Sequence, residues 1–324
     1  MVKIPFLITI DTEGDNLWSR PEVIETKNTY GLYRFQELCN QYGFKPVYLT
    51  NYEMAMDDEF VKFGQHYADA RQCEIGMHLH AWNSPPEYNL TDNDMAQQPF
   101  LCEYPVESID CKVKAMTELL RSRFNTPIVS HRAGRWAMSD DYFSILIKYG
   151  YLVDCSVTPG VDWSRIKGNV RGSGGTNYYK YPHHQYWTGG AVRKGILEVP
   201  MTISGIPRRS IFGGFSGIKY SLPEWIYKLC FRNIWLRPSG SNLDAMKALV
   251  DENIHNNCAY LEFMIHSSEL SAGLNPNFIT EEAIDKLYND MNGLFKYITQ
   301  YAHGCTLKEF YDLRVKRTEN ELEK

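Results

Sequence analysis

Several things are missing from this 324-residue chain. No stretch approaches the 18 or more consecutive apolar residues that a membrane-spanning helix needs. No pair of cysteines has C-x-x-C spacing, which excludes the commonest thiolate zinc sites. There is no internal repeat and no low-complexity tract, and the composition excludes wholesale disorder, collagen and coiled coil. Excess positive charge is also absent. With 34 basic and 39 acidic residues the net charge is −5, which argues against a dedicated nucleic-acid binder. The N-terminal Met1–Ile10 run has one basic residue and soon meets Asp11, without a signal-peptide apolar core. The eight cysteines, at 39, 73, 102, 111, 155, 230, 258 and 305, are dispersed and several sit in apolar segments. Together these features predict reduced thiols and a cytoplasmic protein.

What is present is an ordinary globular composition, 44% hydrophobic and 23% charged, with 22 Tyr and 7 Trp. Strand-like and helix-like runs alternate. Strands are expected at 4–10, 46–50, 73–80, 128–131, 151–156, 196–203 and 259–266. Helices are expected at 30–43, 57–71, 108–124, 139–150, 222–236, 243–255 and 281–301, with a last turn at 307–313 and a frayed charged tail after 315. Ser139 and Thr280 read as N-caps, and Gly43 and Gly150 as helix stops. This alternation predicts an α/β fold with a parallel sheet and outer helices. One domain is expected over 1–315, with a charged tail at 316–324.

The alternation pauses between about 159 and 239, an irregular, glycine- and tyrosine-rich insert. From Trp163 to Gly240 there are 12 basic and 2 acidic residues, so this stretch carries +10 and the rest of the chain −15. An anionic partner is one reading, with Arg193-Lys194 and Arg208-Arg209 as phosphate grips. The run 222–237, with Trp225, Ile226, Leu229, Phe231, Ile234 and Trp235, could rest on a membrane surface as a helix. A core helix with ordinary solvated bases is the plainer reading.

Polar residues recur at the ends of the expected strands. Asp11, Glu13 and Asp15 follow the first, His78 and His80 end the third, His131 and Arg132 follow the fourth. Asp154 and Ser156 end the fifth and His266 the last. In parallel α/β folds the C-terminal edge of the sheet is where sites assemble. Residues i and i+2 of an extended segment share a face, so His78 and His80 can present two imidazoles to one ion, and Asp11 pairs with Glu13. Two imidazoles and a carboxylate suit Zn²⁺, Fe²⁺ or a similar ion with positions left open. Each feature also has an ordinary structural reading: a helix cap for the acidic cluster, a packed and a solvated histidine for the H-x-H.

The ordered set Leu7-Ile-Thr-Ile-Asp11, Glu74-Ile-Gly-Met-His78, His131-Arg-Ala-Gly-Arg-Trp136, Val153-Asp-Cys-Ser156 and Phe263-Met-Ile-His266 resembles the motif series of the polysaccharide deacetylase family, carbohydrate esterase family 4 or the NodB homology domain. The resemblance covers roughly 4 to 310 and is closest to divergent, cytoplasmic-type members linked to surface-polysaccharide or glycolipid biosynthesis. It implies a distorted (β/α) barrel of about seven parallel strands, a divalent metal, Zn²⁺ first among candidates, and hydrolytic removal of acetyl groups from N-acetylated sugars or a glycan carrier. By the same resemblance Asp11 is the general base, Arg132 holds it, His266 is the acid, and Asp154 belongs near them. His78 is the first metal-binding histidine. Thr12 stands where the family has a second aspartate, which makes Glu13 the replacement ligand with Asp15 in reserve. Trp82 stands where the second histidine belongs, and His80 takes that place. Trp82, Arg135, Trp136 and Ser156 are the candidate sugar contacts. Two other activities fit the same residues: hydrolysis of a non-sugar amide or ester, and glycan binding by an inactive barrel.

Overall fold

Seven neighbouring strands run parallel in one curled sheet, and four of them carry candidate site residues at or just past their C-terminal ends. A computed structural model describes residues 3–166, 168, 174–188, 195–207 and 222–322. The strands are β1 (Ile4–Thr12), β2 (Pro46–Thr50), β3 (Glu74–Leu79), β4 (Ser130–Ala133), β5 (Val153–Asp154), β6 (Tyr186–Thr188), β7 (Ile196–Glu198), β8 (Ile203–Pro207), β9 (Phe231–Trp235), β10 (Leu261–His266) and β11 (Ala302–Gly304). The helices are α1 (Thr29–Gln41), α2 (Tyr52–Met56), α3 (Asp58–Asp69), α4 (Asp94–Gln97), α5 (Val106–Phe124), α6 (Asp140–Lys148), α7 (Glu224–Cys230), α8 (Leu243–His255), α9 (Glu281–Ile298) and α10 (Leu307–Leu322). Spatial order in the main sheet is β10-β1-β2-β3-β4-β5-β7, all parallel, with β6 antiparallel outside β7 and β11 beside the start of β1. The result is an incomplete (β/α) barrel: the parallel sheet with outer helices that the alternation predicted, curled as the resemblance implied. None of the described helices is long and apolar enough to cross a membrane.

Period-2 alternation sorts the side chains. On β1, Phe6, Ile8 and Ile10 pack outward under the helices, while Leu7, Thr9 and Asp11 face the barrel interior. The interior is layered. At the bottom, Leu7, Val47, Leu49, Val153 and Leu197 pack against Leu307 and Phe310 of α10. Above them lies a buried polar layer around Arg132. The top layer is the site. Gly76 shows how tightly the strands are packed: a Cβ there would lie 2.7 Å from Leu49 Cδ2 and 2.8 Å from the Ser130 carbonyl oxygen.

Among the described residues the barrel does not close by strand pairing. Between β7 and β10 the chain crosses as single segments. The Val199 and Met201 amides donate to the Asp154 and Val157 carbonyls. Thr202 Oγ1 accepts from the Glu262 amide, the Tyr260 hydroxyl donates to the Pro200 carbonyl, and the Leu236 carbonyl accepts from the Met264 amide.

The caps behave as expected. Ser139 Oγ accepts from the Tyr142 amide, Thr280 Oγ1 from the Ala283 amide, and Gly43 and Gly150 adopt positive φ after α1 and α6. Three expectations need correction. The strand expected over 196–203 ends at Glu198 and resumes as β8, because Pro200 has no amide to donate. The helix expected over 222–236 stops at Cys230, and Phe231–Trp235 pairs antiparallel with Ile203–Pro207. A long-range ladder overrides the helical spacing there, and the continuous apolar face proposed for a membrane is split. Trp225 and Leu229 remain exposed on the short α7. The third is the chain end: α10 continues to Leu322 instead of fraying after 315. The 159–239 stretch is also not wholly an insert, since β7 is a member of the main sheet. Arg193-Lys194 and Arg208-Arg209 lie outside the described residues. All eight cysteines are free.

Candidate active site

The strand ends deliver Asp11 and Glu13 from β1, His78 and His80 from β3, Arg132 from β4 and His266 from β10. Asp11 and His266 are directly paired in register across β1 and β10. Glu13, one residue past β1, keeps the inward face that period-2 alternation assigns it, and its backbone is pinned. Its amide donates to Ser267 Oγ, and its carbonyl accepts from Ser267 Oγ and Asn28 Nδ2. Thr12 points to the opposite face and donates back to the Ile10 carbonyl.

Glu13, His78 and His80 are all buried, and their ligating atoms lie within 4.8 Å of one another. His80 Nε2 is 2.8 Å and His78 Nε2 3.4 Å from Glu13 Oε2. His78 Nδ1 lies 3.0 Å from the Arg132 carbonyl, which can only accept. The proton therefore sits on Nδ1, and the Nε2 lone pair faces Glu13 and Asp11. One carboxylate and two imidazoles, one of them with its tautomer fixed, fit a borderline divalent ion with open positions. Burial would raise the Glu13 carboxyl, but the adjacent His78 and His80 rings, whose protonation it favours, overcome burial and hold the group far below the usual range. Burial pulls His80 down, while Asp11 and Glu13 offset burial at His78 and raise it.

Asp11 sits beside this set, its Oδ2 3.9 Å from His78 Nε2 and 3.7 Å from His266 Nε2. Its other oxygen accepts from Arg132 at 2.7 Å. Burial opposes ionisation, yet Arg132, then His78 and His266, keep the Asp11 carboxyl below its ordinary pKa. Arg132 is fully buried and also donates to Thr9 Oγ1, Glu262 Oε1 and the Cys155 carbonyl. It thus ties β4 to β1, β10 and the end of β5.

The two residues of the fifth strand end do not reach the site. Asp154 is wholly buried and accepts from His131 Nδ1 at 2.6 Å and from the amide and hydroxyl of Ser156. Ser156 Oγ in turn accepts from the Ala133 amide at 2.8 Å. Asp154 and Ser156 therefore brace the end of β4 from behind, and neither lines the cavity. Asp15, the reserve ligand, is also displaced from that role. Its oxygens accept from the Lys27 amide, the Asn28 amide and Asn28 Nδ2, which secures the chain entering α1.

A cavity of about 330 Å³ opens over the Glu13–His78–His80 set. Trp82, Arg135 and Trp136 line it as expected, and Phe100, Trp163 and Arg237 join them. Arg135 and Trp136 both have positive φ, 55° and 60°, a costly conformation for non-glycine residues that turns their side chains toward the cavity. The preceding Gly134 is obligatory: a Cβ there would lie 2.5 Å from His80 Nδ1 and 2.7 Å from the Leu79 carbonyl oxygen. Gly134→Ala is expected to push the His80 ring out of place and weaken divalent-ion affinity about 10–100-fold, as read by calorimetric titration.

Glu269 and Arg237 were not singled out in the sequence. Glu269 Oε2 accepts from the His266 amide at 2.9 Å and lies 3.3 Å from His266 Nδ1. Arg237 Nη2 is 2.9 Å from Glu269 Oε1 and 3.0 Å from His266 Nδ1. Burial opposes the Glu269 charge, but Arg237 and His266 pull its pKa down to about 2. The i, i+3 spacing of His266 and Glu269 was the available signal.

No protein-family model and no curated protein sequence matches the chain. Solved structures do. A Mycobacterium smegmatis protein assigned as a polysaccharide deacetylase superposes with a TM-score of 0.55 at 12% identity, over 98% of this chain and 92% of that one. The fold is the polysaccharide-deacetylase barrel. A 4-alpha-glucanotransferase from Thermococcus litoralis is similar over 96% of this chain and 40% of its own, with a TM-score of 0.52 at 12% identity. At such identities the likeness is one of fold. In this polysaccharide-deacetylase barrel the Glu13–His78–His80 set sits at the C-terminal rim of the sheet, where parallel α/β folds build their sites.

Proposed function

We propose that the chain is a metal-dependent hydrolase that removes acetyl groups from N-acetylated sugars. The observation that carries this reading is the placement of the buried Asp11 and the partly buried His266 beside the Glu13–His78–His80 set, in one cluster at the cavity floor. The walls suit a sugar, since Trp82, Trp136 and Trp163 offer flat apolar faces with polar edges.

Glu13, His78 and His80 would hold the ion. When bound, a divalent ion supplies Lewis-acid polarisation of an acyl carbonyl and lowers the pKa of water. Asp11 accepts the proton of the attacking water. Arg132 keeps that carboxylate ionised and oriented through its 2.7 Å hydrogen bond. His266 delivers a proton from Nε2 to the departing sugar nitrogen, and Glu269 steadies the imidazole from the Nδ1 side. The aromatic walls exclude bulk water and align the amide.

The test is elemental analysis with calorimetry on the wild type and His78→Ala, followed by acetate release from N-acetylated glycans. About one divalent ion per chain is expected in the wild type and none in His78→Ala. Chelation should lower the melting temperature of the wild type only, because bound ligand stabilises by mass action. A wild type that takes up no divalent ion would remove this function.

A further inference from the structure

Arg135 and Arg20 both line the cavity, and among the described residues neither side chain has a carboxylate or hydrogen-bond partner. Arg34, Arg123, Arg132, Arg165 and Arg237 each pair with an aspartate or glutamate. Arg135 is half-buried, with its guanidinium 5.2 Å from the centre of the Phe100 ring. Removing a cation from water without an anion in direct contact to receive it is costly. The backbone adds to that cost, since Arg135 holds φ 55° and ψ 24°. Burial first, and then the exposed Arg20, depress the Arg135 pKa, and the carboxylates of Glu13 and Glu103 offset them only in part. Burial, backbone strain and like-charge repulsion thus converge on one side chain at the wall of the site. A ligand that brings negative charge relieves the first and third at once.

We infer that the substrate carries an anionic group, a carboxylate or a phosphate, which Arg135 and Arg20 receive at the cavity wall while the acetamido group lies over the Glu13–His78–His80 floor. This rests on the deacetylase reading and narrows it to an N-acetylated sugar that is itself acidic or phosphorylated. Arg135 is the principal contact, because it is the more buried and its backbone is fixed between Gly134 and Trp136. A guanidinium fork suits both oxyanion geometries. Arg237, the other cation of the wall, is committed to Glu269 and His266 and orients the acid instead.

The experiment is calorimetric binding of three sugars to the metal-loaded wild type, Arg135→Gln and Arg20→Gln. The sugars are N-acetylglucosamine, N-acetylglucosamine 6-phosphate and N-acetylmuramic acid. Any direct attraction between the anion and the metal is common to all three proteins, so the difference between them isolates the arginines. At least one charged sugar is expected to bind the wild type about tenfold or more tightly than the neutral one, the scale of a single charge-assisted hydrogen bond. That advantage should vanish in Arg135→Gln, shrink in Arg20→Gln and weaken as salt is raised. Whether the phosphate or the carboxylate gains more identifies the group. Equal binding of all three sugars, failure of both charged sugars to bind, or an advantage untouched in both variants overturns the inference. Acetate release from the same samples separates the two readings. Charge-dependent binding without release keeps the anion site and removes the deacetylase. Release from the neutral sugar with no charge preference does the reverse.

Discussion

Asp11→Asn lowers turnover by about 10²–10⁴, the usual worth of a positioned general base, while the ion content and melting temperature stay near the wild-type values. The substitution is nearly isosteric. The amide oxygen can still accept from Arg132, and the Arg132 charge is still met by Glu262. What disappears is the ability to take a proton at Oδ2, the oxygen 3.7 Å from His266 Nε2 and 3.9 Å from His78 Nε2. Acetate release read beside a thermal melt and an elemental analysis checks all three statements. Turnover within a few-fold of wild type would place the base elsewhere, and loss of the ion would make Asp11 a ligand.

Arg132→Ala acts on the fold. The side chain is fully buried and donates to Asp11, Glu262, Thr9 and the Cys155 carbonyl. Truncation leaves Asp11 Oδ1 and the Cys155 carbonyl without their donor in the barrel interior, and Glu262 with Thr9 alone. Breaking a buried ion pair from one side costs about 3–5 kcal/mol, a large share of the roughly 5–15 kcal/mol that holds a domain together. Glu262 softens the loss: burial, only partly opposed by Arg132, already pushes its carboxyl up to about 7, so it can protonate. The sign of the pH effect follows. In the variant both buried carboxyls hold their protons more tightly folded than unfolded, so the deficit against wild type is smallest near about pH 5 and widens toward about pH 8. Denaturant midpoints across that range are the measurement. A deficit that is constant or narrows with pH would show that the carboxylates find other donors.

The sequence made the site's floor legible because that floor consists of strand ends. Period-2 alternation alone puts Asp11 with Glu13 and His78 with His80, and the inward turn of all four needs no knowledge of tertiary contacts. Asp154 shows the limit of the same logic. It also ends a strand, but β5 is only two residues long, and His131, its neighbour in register, takes its carboxylate in the layer below the cavity. Position along the barrel axis is not written in a local pattern. Asp15 is similar: three carboxylates in five residues look like one ligand cluster, but the turn at Gly14 sends the third to the amides of Lys27 and Asn28. The helix expected over 222–236 fails for a different reason. Phe231 to Trp235 has no partner within its own neighbourhood of sequence. Its ladder lies some 30 residues earlier, with Ile203 to Pro207. Arg237 and Glu269 were invisible as site residues because their meaning depends on His266 being brought between them.

The unpaired seam between β7 and β10 has a consequence for how such a molecule can diversify. In a closed barrel, strand number and stagger fix the diameter, so the mouth can be widened only by rebuilding the ladder. Here, among the described residues, the two sides of the seam meet through single crossings at Pro200, Thr202 and Leu236. Lengthening or shortening the chain around them leaves the seven-strand register alone. The floor of the site and the girth of the entrance are therefore set by separate parts of the chain. Descendants of one ancestor could come to accept slim or branched substrates by trading loop length on that one side, with every residue of the floor unchanged.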